Sequence, residues 1–261
     1  MPNSEHTQTF WDHLDELRSC LIRMIVAVLV CGIVAFCFKD LLFKIILAPK
    51  EASFVTFRLI ERLTGQASDF SLSLINIDLA QQFIIHLKVA FYFGLLCVSP
   101  YLLYELFKFV APALYTSERK YATTALVGGC VMFFAGVLLN YFIICPVTVR
   151  FLGNYQVSAE VQNIISLESY ISTLLMLSLT MGILFEIPIL CWLLAKFGIL
   201  TEAPMKKYRR HAIVVILIVA AIITPTADAF TLTIVALPIY LLYELSIVIV
   251  RKTARVQSSP S

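Results

Sequence analysis

Six apolar runs, parted by more polar segments, constrain this chain more than any other feature. About 20 apolar residues in helix cross the roughly 30 Å of hydrocarbon in a bilayer. The candidate runs are Cys20–Phe38, Phe83–Phe107, Tyr121–Cys145, Leu167–Ala195, His211–Thr224 and Ala229–Val250. The chain is 60% hydrophobic and only 14% charged, against about 45–50% and about 25% in soluble domains. These numbers predict an all-α integral membrane protein with six transmembrane helices. So little chain lies between the runs that no separate soluble domain fits. Residues 1–261 therefore read as one membrane domain, with a cytoplasmic amphipathic helix over 1–19, spans over 20–250 and a tail over 251–261.

Basic residues set the orientation. Lys108, Arg119 and Lys120 follow span two. Lys196, Lys206, Lys207, Arg209 and Arg210 follow span four, and Arg251, Lys252 and Arg255 follow span six. The positive-inside rule then places both termini in the cytoplasm. The 39–82 loop opposes this with Lys39, Lys44, Lys50, Arg58 and Arg62, but the other loops outvote it. Within it, Leu72, Leu74, Ile77 and Leu79 suggest a short strand or interfacial piece on the outer face. Span five gives about 21 Å of helix, short of the hydrocarbon core. Span six carries Pro238, which favours a kink. Pro100 and Pro188 predict bends in spans two and four. A short fifth and sixth span beside bent helices implies a concave arrangement, with the Pro225-Thr226-Ala227-Asp228 tip recessed below the outer surface.

Several function classes are excluded. A net charge of +3 is too small for nucleic-acid binding, and the basic residues sit at span ends. The cysteines (Cys20, Cys31, Cys37, Cys97, Cys130, Cys145 and Cys191) are scattered, without metal-ligand spacing or a disulfide framework. No phosphate-binding loop, H-E-x-x-H or G-x-S-x-G motif is present, which argues against a nucleotide site and a hydrolase. The expectation is a non-enzyme with no cofactor and no metal. Acidic Asp12, Asp15 and Glu16 stand where a cleavable signal peptide would be basic.

The remaining candidates are acidic. Phe10, Leu14, Leu17 and Leu21 share one helical face, with Asp12, Asp15 and Glu16 opposite. Thr9 and Asp12 form a potential capping box. An acidic face has the wrong sign for anionic lipid, so it is either a solvated surface or a docking site for a cation. Glu118 lies in a polar turn between spans two and three, where a carboxylate in a first helical turn gains about 0.3–1 kcal/mol from the helix dipole. Glu105 either adds a carboxylate or pairs with Lys108. Glu186, in F-E-I-P, lies about 15 Å of helix from Lys196, near mid-membrane, where an ionisable residue is costly and functional by default. Asp228 follows T-P-T-A at the hairpin tip.

Two of these segments match one family. H-L-D-E-L-R at His13–Arg18 and F-V-A-P-A-L-Y-T-S-E-R-K at Phe109–Lys120 resemble the N-terminal signature and the second-to-third-span turn of TatC, the multi-span component of the twin-arginine translocase. The resemblance runs from the N-terminal helix through span six. It implies that Glu16 and Glu118 bind the arginine pair of a signal peptide, with Asp12, Asp15 and Glu105 beside them, and that Glu186 faces a groove for partner helices or substrate. It further implies single-span TatA/TatB-type partners, a homo-oligomer within a larger complex in the inner membrane, and transport of folded proteins driven by the proton-motive force. Glu105 departs from the family, which commonly has Gln there. Asp228 follows a turn one residue longer than the usual T-P-P-D or A-P-D. The alternative is a proton-coupled small-solute transporter using Glu186.

Overall fold

The computed structural model describes residues 10–51, 53–64, 72–110, 119–156, 158, 164–224 and 228–258. The chain divides into two compact units, Met1–Lys39 with His86–Cys130 and Asp40–Ile85 with Val131–Ser261.

In the first unit, α1 (Phe10–Phe36) is one 27-residue helix. The expected amphipathic N-terminal helix and first span are thus continuous, because no proline interrupts them. It packs antiparallel on α4 (Gln81–Val110), in a register set by Phe36 opposite His86 and Gly32 opposite Gly94. The His86 ring stacks on Phe36 at 3.9 Å, and its Nε2 lies 3.1 Å from the Phe36 carbonyl. At the crossing the backbones touch: a Cβ on Gly94 would lie 2.6 Å from the Gly32 nitrogen. Pro100 does not break α4. The missing proline N–H would have reached back to Leu96, and the Ser99 hydroxyl donates to that carbonyl instead, at 2.8 Å. The start of α5 (Arg119–Leu139) completes the described part of this unit.

The second unit opens with α2 (Lys39–Leu47) and α3 (Val55–Thr64), where the sequence reading had no helix. β1 (Leu74–Ile75) falls inside the expected strand segment and pairs in parallel with β2 (Ile165–Ser166). Hydroxyls again serve carbonyls that prolines cannot. Tyr141 donates to Ile45, four residues before Pro49, at 2.7 Å, and Thr56 donates to Phe142, four before Pro146. Tyr170, itself buried, donates to Ile46 at 2.9 Å. After α5 a π-turn (Asn140–Ile144) leads into α6 (Cys145–Asn154). α7 (Leu167–Leu184) and α8 (Ile187–Lys196) are parted at Phe185–Glu186, just before Pro188, so the expected bend in span four is a break in the helix.

α9 (Glu202–Lys207), α10 (Arg209–Ile223) and α11 (Ala229–Ser258) close the chain. α7, α10 and α11 bury Leu177, Met181, Ala220, Val235 and Ile239 in a common core. Among the described residues five segments are long and apolar enough to cross a membrane: Leu14–Phe36, Gln81–Phe109, Thr123–Asn154, Leu167–Lys196 and Ala229–Thr253. The expected fifth span is α10, whose 15 residues rise only about 22 Å. α11 runs through Pro238 and on to Ser258, so most of the expected tail is helical.

Candidate functional site

Glu16, Cys20 and Arg23 recur at four and three residues on α1 and so share one face. That face meets the C-terminal part of α4. Cys20 is buried with its thiol 3.7 Å from the Glu105 carbonyl. Arg23 donates to Glu105 Oε2 from Nε at 3.2 Å and from Nη2 at 2.7 Å. Tyr101, one turn earlier on α4, donates its hydroxyl to Glu105 Oε1 at 2.9 Å. Glu105 is 4% exposed, and a carboxylate buried that deeply needs both a charge partner and filled oxygens. Arg23 supplies the charge, and the two donors fill both oxygens.

This corrects the sequence reading that paired Glu105 with Lys108. Glu105 faces α1 across the helix contact, whereas Lys108 is exposed. The cation that reaches the carboxylate therefore comes from the opposing helix. Arg23 was missed because it sits inside an apolar run. Its position two turns after Glu16 on one helical face was the available signal.

Glu16 is half-buried and Asp15 exposed, and neither makes a hydrogen bond or ion pair among the described residues. Asp12 lies in α1, but its side chain is outside the described residues, as are Thr9 and all of Glu118. The turn carrying Glu118 has its ends described at Val110 and Arg119.

In the second unit, Glu186 occupies the break between α7 and α8. It is half-buried, and its Oε1 is fully enclosed without a hydrogen-bond partner among the described residues. Nearby, α5 and α7 are in close contact: a Cβ on Gly136 would lie 2.5 Å from the Met181 carbonyl. Asp228 has a local task. Its Oδ1 accepts from the Thr231 amide at 2.7 Å and its carbonyl from the Leu232 amide, which makes it the N-cap of α11. Pro225, Thr226 and Ala227 lie outside the described residues. At the other end of this hairpin Arg209 pairs with Glu244 at 2.7 Å, and Glu202 is met by Lys206 and by Arg251. Among the described residues no cluster of His, Cys, Asp and Glu could hold a metal ion.

Among the described residues the arrangement offers carboxylates without an ion-pair partner near the N-terminal end of α1, a neutralised carboxylate facing Arg23, and a carboxyl in a helix break whose enclosed oxygen has no hydrogen-bond partner. None of these groups pairs a nucleophile with a base. Comparison with known proteins fits that picture. A family model described as Sec-independent protein translocase protein (TatC) matches residues 12–238. The Sec-independent protein translocase protein TatC of Blattabacterium sp. subsp. Periplaneta americana (strain BPLAN) is 34% identical over 259 residues, covering 95% of this chain and 97% of that one. The protein of the same name in Escherichia coli (strain K12) is 32% identical over 243 residues, covering 93% and 88%. A crystal structure of the twin arginine translocase receptor TatC superposes with a TM-score of 0.75 at 32% identity, covering 93% of this chain and all of that one.

Proposed function

This chain belongs to the TatC family of Sec-independent protein translocase components, and on that premise we propose that it is the receptor that binds Arg-Arg signal peptides at the cytoplasmic face. Glu16 and Glu118 are the anchors, with Asp12 and Asp15 adding negative charge on the same helix. The observation that carries this reading is Glu16: a half-buried carboxylate on an ordered helix that no described side chain neutralises. Guanidinium is planar, permanently charged and able to donate two parallel hydrogen bonds to one carboxylate. Lysine offers a compact, strongly hydrated point charge, so two such carboxylates favour arginine pairs. Each charge-assisted bond contributes roughly 1.5–3 kcal/mol.

In this reading α10 is the short fifth of six spans and both termini are cytoplasmic, in accord with the basic loops. The receptor then recruits single-span TatA/TatB-type subunits, in a homo-oligomeric complex of the inner membrane that moves folded proteins with the proton-motive force. Glu186 serves that transport after the peptide has bound, and the solute-transporter alternative draws no support from the family.

The test is binding of the purified protein to a synthetic signal peptide with Arg-Arg, against the same peptide with Lys-Lys. Arg-Arg should bind more tightly, and Glu16→Ala and Glu118→Ala should each weaken it in protein that remains folded. Equal affinity for both peptides, or no loss in either variant and in the pair together, refutes the assignment.

A further inference from the structure

The first unit holds a cation, Arg23, that has no part in the proposed peptide site. Arg23 lies seven residues beyond Glu16 on the same face of α1, about 10 Å deeper at 1.5 Å per residue. It commits two guanidinium nitrogens to Glu105 Oε2 while Tyr101 holds Oε1. Exposure is uneven across the pair, 44% for the Arg23 side chain against 5% for that of Glu105. The guanidinium thus covers the carboxylate and turns its other side outward.

We propose that Arg23 is an internal competitor for the arginines of the signal peptide, holding Glu105 so that this carboxylate stays out of the peptide site. The proposal rests on the reading that Glu16 and Glu118 anchor those arginines. Its motive is chemical identity: Arg23 makes on Glu105 the bonds that a peptide guanidinium would make there. A peptide arginine reaching Glu105 must displace an equivalent ion pair and leave Arg23 unpaired beside it. The exchange yields no net bond and adds a like-charge contact. Recognition is therefore confined to the unmasked carboxylates nearer the end of α1. An open Glu105 would raise the negative potential for any cation, lysine included, and so blur the preference for arginine. Arg23 in this sense determines specificity by subtraction.

The experiment uses the full chain in detergent, fluorescently labelled Arg-Arg and Lys-Lys peptides read by anisotropy, and thermal unfolding of the same samples. Arg23→Gln should bind the Arg-Arg peptide on the order of tenfold more tightly and discriminate less against Lys-Lys. It should also unfold at a lower temperature, because a buried carboxylate has lost its partner. Arg23→Gln with Glu105→Gln should return affinity to the wild-type level. An ion pair that only holds the helices together would move affinity and stability in the same direction, so Arg23→Gln binding no tighter than wild type overturns the proposal. So does a double variant that stays as tight as the single. Should Arg23→Gln fail to fold, Glu105→Gln decides: it frees Arg23 to repel the peptide, and affinity for both peptides should fall. Unchanged or tighter binding in that variant refutes the proposal. Glu16→Ala with Glu118→Ala in the same assay reports separately on the parent reading. Unchanged affinity there removes the anchors, whereas the Arg23 and Glu105 variants report only whether Glu105 is masked.

Discussion

Gly32 and Gly94 face each other where α1 crosses α4, yet they should respond oppositely to alanine. A Cβ on Gly94 would lie 2.6 Å from the Gly32 nitrogen, 2.7 Å from its Cα and 3.1 Å from the Cys31 carbonyl carbon. All three atoms are backbone, so no side chain can turn aside. Ordinary contact begins near 3.5 Å, and the helices would have to part by about 1 Å at the crossing. Overpacking of this kind costs about 1–3 kcal/mol, and the rigid neighbours place Gly94→Ala toward the upper end. Alanine returns up to about 1 kcal/mol of helix propensity, which leaves a net loss of about 1–2 kcal/mol. A Cβ on Gly32 meets only the Ala90 carbonyl oxygen and the Phe91 Cα, both at 3.8 Å. Gly32→Ala therefore keeps the propensity gain without the clash and should be neutral or slightly stabilising. Thermal unfolding in detergent, with both variants beside wild type, measures the difference. Gly94→Ala unfolding with wild type, or Gly32→Ala losing as much as Gly94→Ala, would refute a backbone-to-backbone crossing at this pair.

Two further outcomes concern the second unit. Tyr170→Phe removes a hydroxyl from a buried bond to the Ile46 carbonyl and should cost about 1–3 kcal/mol, whereas Tyr141→Phe leaves the accessible Ile45 carbonyl to water and should cost under about 1 kcal/mol. Equal unfolding temperatures for the two would refute that distinction. Glu186→Ala should impair export with peptide binding intact, and Glu186→Gln should be mild, since an amide retains most of a carboxyl group's hydrogen bonding to a partner helix. Transport and binding assays on both variants decide it: a Gln variant as damaged as Ala would make ionisation, not hydrogen bonding, the property that matters.

Much of the architecture was legible because the bilayer as solvent imposes a length rule. The five long apolar helices among the described residues were marked by runs of apolar residues, and the 15-residue α10 by the run expected as a short fifth span. Helix ends were read less well. Span one starts at Leu14, six residues before the apolar run begins, and span three extends to Asn154, since a helix does not stop where hydrophobicity does. α2 and α3 were not anticipated in the 39–82 loop. Their charged residues read as loop composition, and what fixes α2 is tertiary: hydroxyls of Tyr141 and Tyr170 reaching its last carbonyls. Pairings of that sort join residues 96 and 124 positions apart, and no local pattern announces them.

The same limit applied to the acidic residues, and Glu105 shows why. Sequence spacing offered Lys108, three residues away on the same helix, as its neutralising partner. Proximity along a helix, however, does not decide which face a carboxylate takes. Glu105 and Tyr101 are one turn apart and bonded to each other, and the side of α4 they share lies against α1. Once the Gly32–Gly94 contact fixes the antiparallel register, Arg23 and Glu105 become opposing residues, roughly nine and eleven positions from their glycines on the same side of the crossing. The close approach of two glycines and the burial of an ion pair are thus linked consequences of one helix contact. Glu16, seven residues before Arg23, has no ion-pair or hydrogen-bond counterpart among the described residues. That difference in packing neutralises Glu105 and leaves Glu16 without an ion-pair partner among the described residues.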